Sequence, residues 1–546
     1  MDTQRLILLL VFFFSCMMLW DAWQRKDLPP VAASQQATAT QAAGSVPGSA
    51  AGASAVPSAP TSAAASPSAV PMAGQPVSQA PVLKIRTDLV VAEISAQGGD
   101  LVQLSLLKHQ AHDKPDAHFV LLTPAHAYAA QSGLIGAGLP NHKSMWTLPA
   151  ANLEFKDGEN ELRVPLEAAV EGGGKVVKTY VFKRGSYLVD VEHSFVDAAA
   201  PAGTYAYFQL TRDDKSPEGS DNAMSTATFT GAAIYTDADK FKKVDFGDFG
   251  GKNKHPTTAD NGWVALVQHY FFSAWIPAAG EREYFTRKLD GNLYAAGLVV
   301  PFAGESLSMP LYAGPQEQDK LEKIAPGLEL VVDYGWLTFI AAPLFWILEW
   351  IYKLVGNWGW AIIGLTILIK AAFFPLSAAS YKSMAKMRVL TPKLMKLKET
   401  YADDKQRMNQ EMMELYKREK VNPLGGCLPI LVQIPVFIAL YWVLLGTVEM
   451  RGAPWLGWIT DLSVKDPFYI LPLIMGVSMF VQTKLNPTPP DPIQAKIVLW
   501  MPIIFTGMFL FFPAGLVLYW TVNNVLSIAQ QWQVNRMIES AGLKAH

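Results

Sequence analysis

Apolar residues are concentrated in five stretches that contain no Asp, Glu, Lys or Arg. They cover residues 6–20, 354–369, 421–448, 467–483 and 497–535. A helix that crosses a bilayer needs about 20 mainly apolar residues. As one helix the last stretch would be about 58 Å long, roughly twice the hydrocarbon thickness. A turn signal near its middle, Phe512-Pro513-Ala514-Gly515, splits it in two. The pattern therefore predicts six spanning helices.

These spans define a polytopic α-helical membrane protein with six transmembrane helices. Their predicted bounds are 1–27, 357–376, 423–448, 468–484, 496–512 and 515–535. The first is predicted to be a retained signal-anchor. A cleaved signal peptide, with small residues at Val31-Ala32-Ala33, is the alternative.

A long region of different composition separates the first two spans. Residues 28–83 carry no charge and include nine prolines among Ala, Ser, Gln and Thr, which predicts a disordered linker. Residues 84–330 show short alternating runs and turn signals. Lys183-Arg184-Gly185-Ser186, for example, separates two runs that read as a hairpin. The sequence predicts a large all-β sandwich here.

Tryptophan crowds the segment that follows the predicted sandwich. Trp336, Trp346 and Trp350 lie in or beside an apolar stretch whose only charges are Glu349 and Lys353. Tryptophan favours the membrane–water boundary. We therefore predict an amphipathic helix lying in the interface over residues 336–354, with an additional span as the alternative.

The charges of the loops predict the orientation. The loop 377–422 has eleven basic and six acidic residues, whereas the loop 449–467 has only two basic residues. Positively charged loops stay in the cytoplasm. We therefore expect both termini, the loop 485–495 and the tail 536–546 to be cytoplasmic. The β domain then lies outside, which in a bacterium with two membranes is the periplasm and makes the chain an inner-membrane protein.

The loop 377–422 is predicted to be a helical hairpin, with helices at Ser380–Thr400 and Asp404–Lys420 and with Asp403 as a candidate cap. Its methionines recur at helical spacing. Either they hold the hairpin together, or they form an adaptable contact surface for apolar segments. The candidate contact residues are Met384, Met387, Met408 and Met412.

Lys370 is the one basic residue embedded in a predicted span. A charge at the bilayer centre costs roughly 2.5–3.5 kcal/mol, so such a residue usually faces protein or water. Snorkelling to the nearby loop is the alternative. Thr366, one turn earlier, favours a wetted polar stripe, to which Gln433, Asn523 and Asn524 are candidate additions.

Composition excludes several function classes. Charged residues make up 17% of the chain, against about a quarter in soluble proteins, and the net charge is −2. No basic footprint for DNA is therefore visible. Histidine is absent from the spans, and no HExxH motif, Walker loop or paired intramembrane acid occurs. We expect no enzymatic activity, cofactor or metal.

Long motifs in the last 200 residues carry a family resemblance. They include Lys420-Val421-Asn422-Pro423-Leu424-Gly425-Gly426-Cys427, Asp466-Pro467-Phe468-Tyr469-Ile470-Leu471-Pro472 and Phe512-Pro513-Ala514-Gly515-Leu516-Val517-Leu518-Tyr519. The chain resembles the YidC family of membrane protein insertases over essentially its whole length.

The resemblance implies a fold, a site and partners. Five core helices would enclose a hydrophilic groove that is open to cytoplasm and lipid. In that groove Lys370 occupies a position where arginine is common. The resemblance places Thr366, Gln433, Tyr519 and Trp520 at groove or substrate-contact positions. It implies nascent membrane proteins as substrates. It also implies contacts with the Sec translocon and its accessory subunits, with the ribosome and signal recognition particle, and with lipid. A small-solute transporter and a structural scaffold acting through its β domain are the alternatives.

Overall fold

The computed structural model describes residues 80–111, 116–215, 229–251, 255–401, 404–419, 428–485 and 492–540. The predicted signal-anchor, nearly all of the linker, Asp403 and the last residues of the tail lie outside them. The chain divides into two compact units between Val332 and Asp333.

The first unit contains eighteen described strands. In chain order they are β1 Val82–Arg86, β2 Val90–Ser95, β3 Leu101–Gln110, β4 His118–Leu122, β5 Ala129–Ile135, β6 Leu153–Glu154, β7 Glu161–Ala169, β8 Lys175–Lys183, β9 Leu188–Val196, β10 Tyr205–Asp213, β11 Thr230–Thr236, β12 Lys240–Val244, β13 Thr258–Ala259, β14 Trp263–Gln268, β15 Phe271–Trp275, β16 Arg282–Leu289, β17 Leu293–Pro301 and β18 Ser306–Pro315. A short helix, α1 at Gln318–Leu321, follows them.

The strands form two sheets. One has ten strands in the order β13-β16-β17-β10-β5-β3-β2-β1-β6, with β4 paired to β3. The other has eight strands in the order β12-β11-β14-β15-β18-β9-β8-β7. Neighbouring strands are antiparallel except for β1 and β6. The sheets pack on each other, and the Tyr128 hydroxyl after β4 crosses between them to Ser273 on β15 at 2.6 Å. The predicted all-β sandwich is confirmed.

The predicted hairpin is also present, with longer strands. β8 and β9 pair in antiparallel register from Lys175 opposite Val196 to Phe182 opposite Val189. Gly185 in the connecting turn has φ +72°, which glycine adopts without steric cost. Alternating buried positions on β9, such as Val189, Val191 and His193, face the core between the sheets.

The second unit is helical. Its described helices are α2 Thr338–Val355, α3 Trp358–Ala372, α4 Phe374–Thr400, α5 Lys405–Arg418, α6 Leu428–Gly446, α7 Ile470–Leu485, α8 Pro492–Phe509 and α9 Ala514–Ser540. A 3₁₀ turn, Gly335–Leu337, leads into α2. Asp466 fixes the start of α7, because its carboxylate accepts the backbone N–H groups of Phe468 at 2.9 Å and Leu471 at 2.7 Å.

The span predicted at 357–376 ends earlier than expected. α3 stops at Ala372, and the chain bends by 63° into α4. Pro375 lies in the first turn of α4, where a missing N–H costs nothing and the fixed φ suits a helix start. The helix predicted from Ser380 therefore begins at Phe374.

The hairpin of α4 and α5 is present, with a corrected cap. The Asp404 carboxylate accepts the backbone N–H groups of Gln406 at 3.1 Å and Arg407 at 2.9 Å. Asp404 is therefore the N-cap of α5, one residue after the candidate that the sequence indicated. Lys393 and Glu419 also pair across the hairpin at 2.8 Å.

By length and apolar composition, the helix best able to cross a membrane is not one of the predicted spans. Among the described helices, only Gly335–Val355 is individually long and apolar enough to cross a membrane. α3 joined to the first part of α4 qualifies as a bent pair, while Val432–Gly446, Ile470–Leu485 and Ala495–Phe509 are shorter apolar helices. The six-span topology and the interfacial position of residues 336–354 thus remain predictions.

One face of α2 is apolar and exposed. Phe339, Trp346 and Leu354 on α2 are each more than 60% exposed, as is Trp336 in the 3₁₀ turn before it. Ala341, Leu344, Leu348 and others are buried on the remaining face. An exposed apolar face suits contact with lipid, whether the helix lies in the interface or spans the bilayer.

Candidate functional site

Polar side chains in the helical unit gather along α9. This helix packs against α7, α3 and α4. Asn523, Ser527 and Gln530 recur at intervals of four and three residues, which places them on one face of a helix. The candidate site is the group of side chains that meets this face.

Lys370 is directed toward α9. Its ammonium donates to Ser527 Oγ at 2.7 Å, and its side chain is 7% exposed. The Gln530 amide donates to the Lys370 carbonyl oxygen at 3.3 Å. Of the two alternatives that the sequence left open, the structure shows a lysine bonded inside the helical unit rather than extended toward the loop.

Lys370 has no charged neighbour among the residues that the structure describes. Its ammonium bonds the Ser527 hydroxyl and takes part in no ion pair with a described residue. A buried charge is usually paired. Among the described residues, the positive charge is therefore held by a neutral hydroxyl and has no counter-ion.

Gln433 joins the same face from α6. Its amide donates to Asn523 Oδ1 at 2.8 Å, and it also interacts with the Tyr519 hydroxyl. Asn523 is one turn before Ser527, whose hydroxyl donates to the Asn523 carbonyl oxygen at 2.7 Å. Lys370 and Gln433 thus reach adjacent turns of α9 from two different helices.

Tyr519 and Trp520 lie at the apolar end of this face. Phe437 of α6 stacks on the Tyr519 ring at 6.1 Å and meets the Trp520 ring edge-on at 4.8 Å. Phe509 of α8 contacts Trp520 at 5.6 Å. Tyr519 is buried, while Trp520 is partly exposed and its indole N–H has no hydrogen-bond partner in the described part of the chain.

Thr366 is close to Lys370 in sequence but differs from it in environment. It is 1% exposed, and its hydroxyl donates to the Ile362 carbonyl oxygen of its own helix at 2.7 Å. The hydroxyl is therefore satisfied without water. A role of Thr366 in contacting substrate stays a prediction.

Sequence reasoning missed Ser527 and Gln530. It also missed Ser478 of α7, whose hydroxyl accepts a hydrogen bond from the Asn524 amide at 3.2 Å. The helical spacing of polar residues after Asn523 was the available signal. A single serine in an apolar helix carries little information, because its hydroxyl usually bonds the preceding turn.

The hairpin methionines divide between the two interpretations. Met387 and Met412 pack against the buried cluster of Leu390, Leu394 and Leu415, so they help to hold α4 and α5 together. Met384 and Met408 are partly exposed. A contact role for the four methionines stays a prediction.

Comparison with known proteins identifies the family. Residues 350–541 match the family described as 60Kd inner membrane protein, and residues 82–347 match the YidC periplasmic domain. The chain belongs to the YidC family of membrane protein insertases. The β sandwich is thus the YidC periplasmic domain, in a family of inner membrane proteins.

Several YidC relatives are similar over their whole length. The membrane protein insertase YidC of Aromatoleum aromaticum is 59% identical, over 99% of this chain and 98% of that protein. The one of Dechloromonas aromatica is 58% identical, over 100% and 99%. A crystal structure of an active YidC insertase with its first transmembrane domain is 19% identical, with a TM-score of 0.39 over 82% of this chain and 94% of that chain.

Proposed function

We propose that this chain inserts newly made proteins into the bacterial inner membrane, and helps them to fold and assemble, without enzymatic catalysis. The observation that carries the proposal is the buried ammonium of Lys370, which bonds a neutral hydroxyl on the polar face of α9. An uncompensated positive charge in such a place attracts the acidic residues of a translocating segment.

The driving force of insertion is burial of the substrate's apolar residues in lipid. It is about 25 cal/mol for each Å² of apolar surface removed from water. The polar outer part of the substrate is the obstacle. A hydrophilic groove beside Lys370, Gln433 and Trp520 would shorten its path through hydrocarbon, while the apolar segment leaves along α6 and α8. No nucleotide hydrolysis by this chain is required.

The topology is a part of this proposal. Six spans, two cytoplasmic termini and an interfacial helix at 336–354 follow from loop charge and tryptophan placement. The α4–α5 hairpin would then meet the ribosome, the signal recognition particle and emerging substrates. The β domain would contact the Sec translocon and its accessory subunits.

Charge substitutions at Lys370 test the electrostatic role. Lys370→Ala, Lys370→Glu and Lys370→Arg would be expressed in cells depleted of the native insertase. Insertion of a single-span substrate with an acidic tail would be followed by protease protection. We expect Arg to support insertion, Ala to weaken it and Glu to weaken it most. Equal insertion by Glu and by the native chain would refute the electrostatic role.

Photocrosslinking tests where the substrate passes. A crosslinking amino acid at position 433 or 520 should capture a stalled nascent membrane protein. Position 477, on an exposed part of α7, is the matched control. Absence of crosslinks from both 433 and 520 would contradict passage along this face.

Removal of the β domain distinguishes an insertase from a scaffold. If the helical unit performs insertion, a chain lacking residues 84–325 should retain most of the activity. Complete loss of insertion, with normal amounts of the shortened chain in the membrane, would favour the scaffold.

A further inference from the structure

The Lys370 ammonium has three N–H donors and one described side-chain acceptor, the hydroxyl of Ser527. This acceptor lies 157 residues further along the chain, on α9. The bond therefore fixes the ammonium relative to a different helix and not relative to its own.

The Ser527 hydroxyl is oriented as an acceptor. Its own proton is used in the 2.7 Å bond to the Asn523 carbonyl oxygen. Its lone pairs are therefore the part left to face Lys370. The Gln433 amide, bonded to Asn523 Oδ1 at 2.8 Å, fixes the same turn of α9 from the side of α6.

A neutral acceptor differs from a carboxylate in what it does to the charge. An Asp or Glu at position 527 would cancel the positive charge and compete with an incoming acidic residue. A hydroxyl orients the ammonium and leaves its charge in place. The bond from the ammonium to the hydroxyl has one charged partner, whereas a bond to a substrate carboxylate would have two and would be stronger. A substrate carboxylate would therefore displace the hydroxyl favourably.

We propose that Ser527 is a positioning residue for insertion: it holds the Lys370 ammonium toward α9 until a carboxylate of the substrate replaces it. This inference rests on the proposed insertase function. It assigns Ser527 a role in selecting acidic segments, beyond that of an ordinary hydrogen bond between helices.

The test uses the full chain in proteoliposomes and two single-span substrates that differ only by Asp or Asn in the translocated tail. The variants are Ser527→Ala, Ser527→Thr, Lys370→Ala and the double variant Lys370→Ala/Ser527→Ala. Thr521→Val is the matched control, because the Thr521 hydroxyl lies on the same helix and donates to its own backbone at Val517. The readout is the rate at which the tail becomes protected from protease.

We expect Ser527→Ala to slow the Asp substrate about fivefold and the Asn substrate less than about twofold. Ser527→Thr, which keeps the hydroxyl, should restore the rate, and Thr521→Val should match the native chain. In the Lys370→Ala background the second substitution should add nothing, since the group that Ser527 positions is gone.

Equal slowing of both substrates by Ser527→Ala would overturn the inference, because that is the effect of a merely structural bond. Further slowing in the Lys370→Ala background, or no slowing at all, would also overturn it. The insertase function has its own signature of failure. If the insertase function is wrong, the native chain inserts neither substrate. If Lys370→Ala slows the Asp substrate selectively and Ser527→Ala does not, only the positioning role of Ser527 is rejected.

Discussion

Two buried lysines, one in each unit of the chain, solve the same physical problem in opposite ways. Lys178 lies on β8 inside the sandwich and Lys370 lies on α3, and both are removed from water. Burying an ammonium is costly unless it is paired and hydrogen-bonded. The two lysines differ in how completely their surroundings meet that requirement.

Lys178 is fully surrounded. Its ammonium donates to the carbonyl oxygens of Gly98 at 2.8 Å and Ser132 at 2.9 Å. It lies 3.9 Å from Asp100 Oδ1 and 4.7 Å from the centre of the Trp146 ring. Burial raises the pKa of the Asp100 carboxyl, and the charge of Lys178 limits that rise.

Several oxygen atoms lie around the Lys178 ammonium, whereas the Lys370 ammonium has one described side-chain acceptor, the Ser527 hydroxyl. Its three donors exceed the acceptors that the described residues offer, and no described carboxylate neutralises it. An ammonium whose donors all have acceptors stabilises the fold. An ammonium with too few acceptors can still bind an incoming group. We infer that Lys178 is a structural group and that Lys370 is the functional one.

The largest effect is expected from Lys178→Met. This change leaves Asp100 buried without a cation, and breaking a buried pair in this way costs about 3–5 kcal/mol. Urea unfolding of the β domain within the full chain, followed by pulse proteolysis, measures the free energy of unfolding. Lys183→Met is the control, because Lys183 lies on the same strand but is exposed. A loss below about 1 kcal/mol for Lys178→Met would remove the contrast between the two lysines.

The second-largest effect is a pH dependence of the free energy of unfolding, which comes from His142 near Lys178. His142 Nδ1 bonds the Tyr207 hydroxyl. Burial lowers the pKa of His142 to about 4, and the charges of Lys143 and Lys178 contribute. The unfolded chain, with a pKa near 6.5, binds the proton first. The contribution of neutral His142 to the free energy of unfolding is therefore present above pH 6.5 and is lost as the pH falls toward 4.

His142→Gln should remove that dependence. At about 1.4 kcal/mol for each pKa unit, the native chain should lose about 2–3 kcal/mol more than the variant between pH 7 and pH 4. Unfolding free energies at both pH values provide the comparison. Parallel pH profiles would mean that His142 titrates in the folded state as it does in the unfolded one.

The sequence identified Lys370 but not Lys178, and the reason is physical. A lysine in a long apolar run is conspicuous, because lipid offers it no partner. Lys178 lies in a strand, where a lysine normally points to solvent. Its partners come from a turn 80 residues earlier, at Gly98, and such long-range contacts leave no local signal.

Features that depend on residues close in sequence could, in contrast, be predicted. The β8–β9 hairpin followed from alternation and a glycine turn, and the α4–α5 hairpin from a polar break between helical runs. The bend at Phe373 was missed because the residues on both sides of it, Ala371 to Leu376, are apolar. Ser527 was missed because its importance depends on which helix faces it.

A third and smaller effect is expected from Tyr180→Phe. The Tyr180 hydroxyl donates to the Gly99 carbonyl oxygen at 2.7 Å, and Lys178 approaches the same oxygen at 3.4 Å. Loss of one neutral hydrogen bond should cost about 1 kcal/mol. The same unfolding assay measures it. Together with Lys178→Met the cost should not be additive, because both changes affect one carbonyl group. Simple additivity would indicate that the carbonyl cage does not act as a unit.

The smallest effect on stability is expected from Lys370→Met. Methionine removes a buried charge that has no described counter-ion, and replacing such a group by an apolar one of similar length is close to neutral. The free energy of unfolding of the helical unit, measured by pulse proteolysis in mixed micelles, should therefore change by less than about 1 kcal/mol. Insertion of an acidic-tailed substrate should fall at the same time. A loss of about 3 kcal/mol or more would instead make Lys370 a structural lysine like Lys178, since only a group whose bonds are satisfied in the folded state contributes that much to its stability.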